Sequence, residues 1–293
     1  MNQTKKKNPL KRLLSMRGMG QVVTVTIGLI VLLVAFALIN PNFWSPTNRT
    51  NLLRQIAPIL IIGIAQSYVL ITGNIDLSIG SVVGMSTMVA ATLMSKGIMS
   101  PIPALLVTLL CCLLIGVLNG LLVAKFKLPP FIATLGTMTV ARGIAQLVNG
   151  NYNTDSIMKF YPEAAQTFKN VFYYGKTLGL YNGIWIAIIL WIVFNFLLSK
   201  TRTGRYIYAT GSNIDAARLS GVNVVSTTVI AYVVSAFCSF VVGIITCATV
   251  GQGTMDAGNS YEMYAVAASV IGGVSTLGGQ GILLGTVVGA AIW

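Results

Sequence analysis

Histidine is absent and only six of the 293 residues are acidic, so few side chains could move a proton or hold a metal ion. One of the six, Asp76, stands inside the run Val69-Leu70-Ile71-Thr72-Gly73-Asn74-Ile75-Asp76-Leu77-Ser78-Ile79-Gly80-Ser81, with apolar sequence continuing on both sides. A carboxylate in that setting fits two roles. In one, Asp76 or Ser78 caps a following helix by accepting from its first amides, and the positive end of the helix dipole stabilises the charge. In the other, Asp76 faces a hydrated path or pairs with a buried cation, because intramembrane carboxylates rarely face lipid. The candidate cation is Arg142, which shares a second apolar run with Thr134, Gly136 and Thr137. Asn74, Asp76, Ser78, Thr134, Thr137 and Arg142 are therefore the candidates for a polar translocation path.

The remaining chemistry is sparse. Without histidine there is no Ser-His-Asp triad and no usual zinc site. Cys111, Cys112, Cys238 and Cys247 lie inside apolar segments and read as small buried hydrophobes, not as metal ligands or disulfides. Gly175-Lys176-Thr177 ends like a phosphate-binding loop, but Asn170 stands where the first glycine is needed. No catalytic residue, metal site or bound cofactor is assigned.

These residues are carried by a membrane protein. The chain is 55% hydrophobic and 9% charged, with a mean hydropathy of +0.80, where soluble domains carry charge on about a quarter of their residues. The pattern predicts an all-α polytopic fold with about eight transmembrane segments: 22–39, 56–72, 79–94, 103–124, 131–148, 184–198, 227–250 and a Gly-rich run from 265. Residues 48–55 read as a short interfacial segment and 149–182 as an external loop. A net charge of +13 raises the question of nucleic acid. The basic residues cluster in the tail 1–21 and in short loops, which favours anionic lipid and the positive-inside rule instead. Lys5, Lys6, Lys7, Lys11, Arg12 and Arg17 then put the N-terminus in the cytoplasm. Alternation puts the loop at Lys125 and the basic loop 200–224 on the same side.

Within that loop, Ser212 to Val224 carry the signals of a two-turn helix. Asn213 suits the N-cap, Asp215 the first turn, Arg218 the last turn and Gly221 the stop. So short a helix needs tertiary or partner contacts; it reads either as an ordinary cytoplasmic linker helix or, through the smooth face of Ala216 and Ala217, as a surface on which another protein packs. A weak internal echo also appears. Residues 270–285, starting Val-Ile-Gly-Gly-Val-Ser-Thr-Leu-Gly-Gly, repeat the design of 70–84: apolar helix, Gly-polar break, apolar helix. Paired interrupted spans mark the pathway in some transporters, although glycine is also simply frequent in membrane helices. The run stops at Trp293 inside what reads as another helix, as a truncated chain, or one with a very short last helix, would.

Residues Gly73 to Ser81 resemble the Gly-Gly-Ile-Asp-Leu-Ser-Val-Gly-Ser signature of the bacterial ABC sugar permeases that serve ribose, xylose and galactosides. Asn119-Gly120, the block Pro129-Pro130-Phe131-Ile132-Ala133-Thr134-Leu135-Gly136-Thr137, and Arg142-Gly143 resemble the family's next block. Gly211 to Val224 and Ile271-Gly272-Gly273-Val274-Ser275 continue it. The resemblance implies a monosaccharide import permease of the bacterial cytoplasmic membrane with about ten spans. It implies pairing with a second copy or a paralogue, a separate ATPase that uses ATP, and an extracytoplasmic solute-binding protein. Asp215-Ala216-Ala217 followed by Gly221 is similar to the coupling helix of such importers, which assigns Asn213, Asp215, Ala216, Ala217, Arg218 and Gly221 to ATPase coupling. Asn74 departs from the second glycine of the signature and is expected to alter the turn or the path. Relatives that move nucleosides, autoinducers or branched-chain amino acids are the alternative, and an ion-coupled carrier is a more distant one.

Overall fold

A computed structural model describes residues 19–293; the basic cluster at Lys5 to Arg17 lies outside the described residues. Helix α1 is Met19–Ile39 and α2 is Pro46–Ile71. Ser45 accepts from the amide of Asn48 at 3.4 Å and Pro46 occupies the first turn, where a missing N–H costs nothing. That start signal absorbs 48–55 into one continuous 26-residue helix, correcting the separate interfacial segment. Then come α3 Ile79–Ser95, α4 Pro101–Ala124 and α5 Pro130–Leu147. The segment between α5 and the next long helix holds a short helix α6, Pro162–Lys169, a π-helical turn Asn170–Tyr174 and a two-stranded hairpin, β1 Lys176–Thr177 with β2 Leu180–Tyr181. After it follow α7 Asn182–Lys200, α8 Arg202–Ser212, α9 Ile214–Leu219, α10 Val224–Val250, α11 Tyr261–Ile271 and α12 Leu283–Ile292.

Five of these helices, α1, α2, α4, α7 and α10, are long and apolar enough to cross a membrane. At 1.5 Å per residue, the 17 residues of α3 span about 25 Å, and α11 and α12 about 15 Å each, against a hydrocarbon core of about 30 Å. α11 and α12 form an antiparallel hairpin: Tyr264 and Trp293 bring their rings to 5.3 Å, and Gly289 lies against the carbonyl of Ala268. The Gly-rich run from 265, counted as one segment, is thus two half-length helices joined by residues 272–282, with a break where the echo of 70–84 places one.

Helices α2, α3 and α10 form the buried core of the bundle. α10 packs closely on α4, where a β-carbon at Gly116 would lie 2.7 Å from that of Ala236, and one at Gly120 2.5 Å from the Val229 α-carbon. Small residues one turn apart allow backbones to approach this closely and gain dispersion contacts in a medium that supplies no hydrophobic drive between helices. The opposite face of α4 exposes Ile102, Leu106, Leu110, Leu114 and Leu118, a stripe of four-residue spacing that suits lipid as solvent. At the end of the molecule where α2 begins, the Arg54 guanidinium sits 4.4 Å from the ring centres of both Tyr173 and Tyr181, a cation–π clamp that fastens the hairpin to α2.

Candidate functional site

The segment between α2 and α3 leaves the helix at Thr72, whose hydroxyl donates back to the Val69 carbonyl at 2.7 Å. Gly73 then takes φ +79°, a left-handed conformation that costs a β-carbon-bearing residue about 1–2 kcal/mol. Asn74 is not among the positive-φ residues, so the turn needs one glycine and tolerates asparagine at the second place. The Asn74 amide closes on the turn itself, donating to the Thr72 hydroxyl at 2.8 Å.

From that turn Asp76 is carried into the bundle, 3% exposed. One carboxylate oxygen accepts from the Ser78 amide at 2.9 Å and the Ser78 hydroxyl at 2.6 Å; the other accepts from the Ser235 hydroxyl on α10 at 2.7 Å. The Ser78 hydroxyl accepts in turn from the Asn119 amide at 2.9 Å, and the Asn119 carbonyl accepts from Thr137 at 2.6 Å. Tyr232 donates to the Ile75 carbonyl at 3.0 Å. One chain of hydrogen bonds therefore joins the break to α4, α5 and α10. Asp76 braces the residue before α3 and no side chain caps the helix's own first-turn amides.

The proposed partnership of Asp76 with Arg142 does not form. Arg142 donates through Nη1 to the Met255 carbonyl at 2.9 Å and the Ala257 carbonyl at 3.0 Å, which lie in the 251–260 loop. Backbone acceptors won because that loop runs along α3: Gly80 and Gly84, one turn apart, leave room for Glu262 and the Arg142 guanidinium respectively. The same loop is held by Thr154 and Asn153, through Gly253 N to the Thr154 hydroxyl at 2.8 Å and Met255 N to Asn153 at 3.0 Å. Thr134 is fully buried but donates to its own helix at the Pro130 carbonyl, 2.8 Å away.

Of the six path candidates the fold thus unites Asp76, Ser78 and Thr137; Asn74, Thr134 and Arg142 have other partners. Sequence reading passed over Asn119, Ser235 and Gln66 as site residues. Asn119 and Gln66 are single amides in apolar helices, a costly placement unless partnered, and that was the available signal. Gln66 is fully buried with neither amide atom hydrogen-bonded to protein, and the Ser81 hydroxyl is in the same condition.

The residues assigned to coupling form α9. The Asn213 side chain accepts from the Ala216 amide at 2.9 Å, and Gly221 at φ +81° ends the helix. Val222 N then bonds the Ala217 carbonyl at 3.0 Å, the six-to-one bond of a Schellman stop. Asp215 and Arg218 are exposed and 3.7 Å apart. The smooth alanine face is split: Ala216 is outward, but Ala217 is buried against the chain's own helices. The outward apolar residues are Ile214, 48% exposed, and Leu219, 90% exposed.

A family model described as the permease component of branched-chain amino acid transport systems matches residues 48–293. The chain belongs to this permease family. It is 40% identical over 269 residues to the ribose import permease protein RbsC of Haemophilus influenzae, covering 91% of this chain and 81% of that one. It is 36% identical over 293 residues to the galactofuranose transporter permease protein YtfT of Escherichia coli, covering 97% and 82%. The autoinducer 2 import system permease protein LsrC of Escherichia coli is 32% identical over 268 residues, covering 92% and 76%. No solved structure matches. As a permease of this family the chain is a transport subunit and not an enzyme, a multi-pass protein of the bacterial inner membrane.

Proposed function

We propose that this chain is the membrane-spanning subunit of an ATP-driven importer for a monosaccharide such as ribose, xylose or a galactoside. The substrate class rests on the relatives named for ribose and galactofuranose. The observation that carries ATP coupling is α9: a helix capped at Asn213, stopped at Gly221, anchored through Ala217, and presenting Ile214 and Leu219 to solvent. An exposed leucine on a basic loop suits a docking ATPase better than lipid or water. In this reading the α9 face is cytoplasmic, as is the N-terminus, with Lys125, Lys127, Lys200, Arg202 and Arg205 on the same side as the positive-inside rule requires.

The partners are two ATPase subunits, a second permease copy or paralogue, and an extracytoplasmic solute-binding protein; the chain itself binds no cofactor. ATP binding closes the ATPases, moves α9 and switches the bundle between outward and inward access, the two global states that transport requires. Asp76, Ser78 and Thr137, with Asn119 and Ser235, line or brace that path. The second reading is autoinducer import, favoured by one relative's name.

The test is co-expression with the cognate ATPase and binding protein. A ligand screen by thermal shift on the binding protein, then uptake in vesicles, should give monosaccharide transport that needs ATP and persists without an ion gradient. Uptake that collapses with the ion gradient alone would defeat the proposal.

A further inference from the structure

Both interrupted segments meet beside the helix that leads into α9. Gly279, in the α11–α12 connection, donates its amide to the carbonyl of Ile71, the last residue of α2, at 2.8 Å. Gly211, in the last turn of α8, lies against the same carbonyl, and a β-carbon there would collide with it while lying 2.6 Å from Gly279 N. At Gly278 a β-carbon would lie 2.8 Å from the Gly211 carbonyl and 2.9 Å from the Gly73 α-carbon, and at Gly279 one would strike Ser212. Tyr208, one turn earlier on α8, donates to the Gly281 carbonyl at 2.6 Å. Three backbones therefore touch with no side chain between them. α9 begins two residues after Ser212, and Asp76 lies three residues beyond Gly73.

We propose that this junction of Gly211, Gly278, Gly279 and Tyr208 is the joint that transmits movement of α9 to the 72–78 and 272–282 breaks together. Backbone contacts transmit displacement because packed interiors yield little before they rearrange. α8 is short, is capped by the Thr201 hydroxyl on Gly204 N at 3.3 Å, and has no loop between it and α9 beyond Asn213. A push on α9 reaches Ile71 and Gly73 through one rigid turn, and from Gly73 it reaches the Asp76 hydrogen-bond chain. The two breaks form one moving unit. Gly211, Gly278 and Tyr208 are positioning residues that bind neither ATP nor solute.

The inference rests on the reading of α9 as the ATPase contact, and the test separates the two. An Asn74→Cys reporter in a Cys111→Ser background is labelled with fluorescein maleimide in the purified permease–ATPase complex, with and without MgATP and vanadate. Trapping the nucleotide is expected to change the labelling rate roughly fivefold or more, the range of ordinary coupling between sites. Tyr208→Phe, which removes one hydroxyl and no bulk, should keep the ATPase bound and the melting temperature close to the parent while most of that change disappears. Gly211→Ala should act in the same direction where it folds, and Tyr208→Phe carries the test where it does not. A full response to nucleotide in Tyr208→Phe, or no response in the parent complex with ATPase bound, would overturn the junction. Retention of the ATPase by Leu219→Glu would instead overturn the docking reading, whatever the reporter does.

Discussion

The Ser235 hydroxyl on α10 donates to Asp76 at 2.7 Å, linking a 27-residue helix to a backbone break in a neighbouring element. The Asp76 carboxylate has three donors and, among the described residues, no salt-bridge partner. Its hydrogen bonds and its charge can be separated by substitution.

Asp76→Asn preserves the shape. The amide oxygen can keep both Ser78 donors, and its nitrogen can donate to Ser235. Folded yield by fluorescence-detected gel filtration should stay within about twofold of the parent, while uptake falls further. Asp76→Ala leaves the hydroxyls of Ser78 and Ser235 without an acceptor, about 1–3 kcal/mol for each that stays unsatisfied, and should lose folded protein as well. Equal losses of yield and uptake in Asp76→Asn would assign Asp76 to bracing alone.

Thr137 is the far end of the same chain. Thr137→Val keeps volume but removes the donor to Asn119 at 2.6 Å, and should lower stability by about 1–2 kcal/mol. Thr137→Ser should recover most of it. Thermal unfolding in detergent measures both, and a neutral Thr137→Val would show that Asn119 finds another donor.

Arg142 holds two carbonyls of the 251–260 loop with one terminal nitrogen. Arg142→Met should free the loop and increase cleavage there in limited proteolysis. Arg142→Lys, with its compact ammonium in place of the planar fork, should fall between them. Unchanged proteolysis in Arg142→Met would mean that Thr154 and Asn153 suffice to hold the loop.

A small pH effect is expected on the exposed segment. Lys159, 2.7 Å from Asp155, holds that carboxyl below its usual value by hydrogen bond and charge. A folded pKa below the unfolded one stabilises above the unfolded value and is lost as pH falls through the folded one. The melting difference between the parent and Asp155→Asn should thus be constant from neutral pH to about pH 5 and close below about pH 4. A difference that opens on acidification would reverse the assignment.

Local signals in the sequence determined the membrane class and the long apolar helices to within a few residues at most ends, because each depends on near neighbours; the start of α2 at Pro46 and the short helices α6 and α8 were not read from it. The apolar runs needed no tertiary context. Asn213 and Gly221 fixed α9 within one residue, since a cap and a left-handed glycine act within a turn. The break around Gly73 and its echo near Gly278 were legible for the same reason. Tertiary structure decided which polar groups met. Asp76 joined Ser235, 159 positions away, and Arg142 took carbonyls more than a hundred residues on. No periodicity encodes such partners, because buried polar groups accept any donor or acceptor that the packing brings within reach. The folding back of α11 and α12 was likewise invisible, since a glycine-rich apolar run reads alike whether it crosses the bilayer or returns.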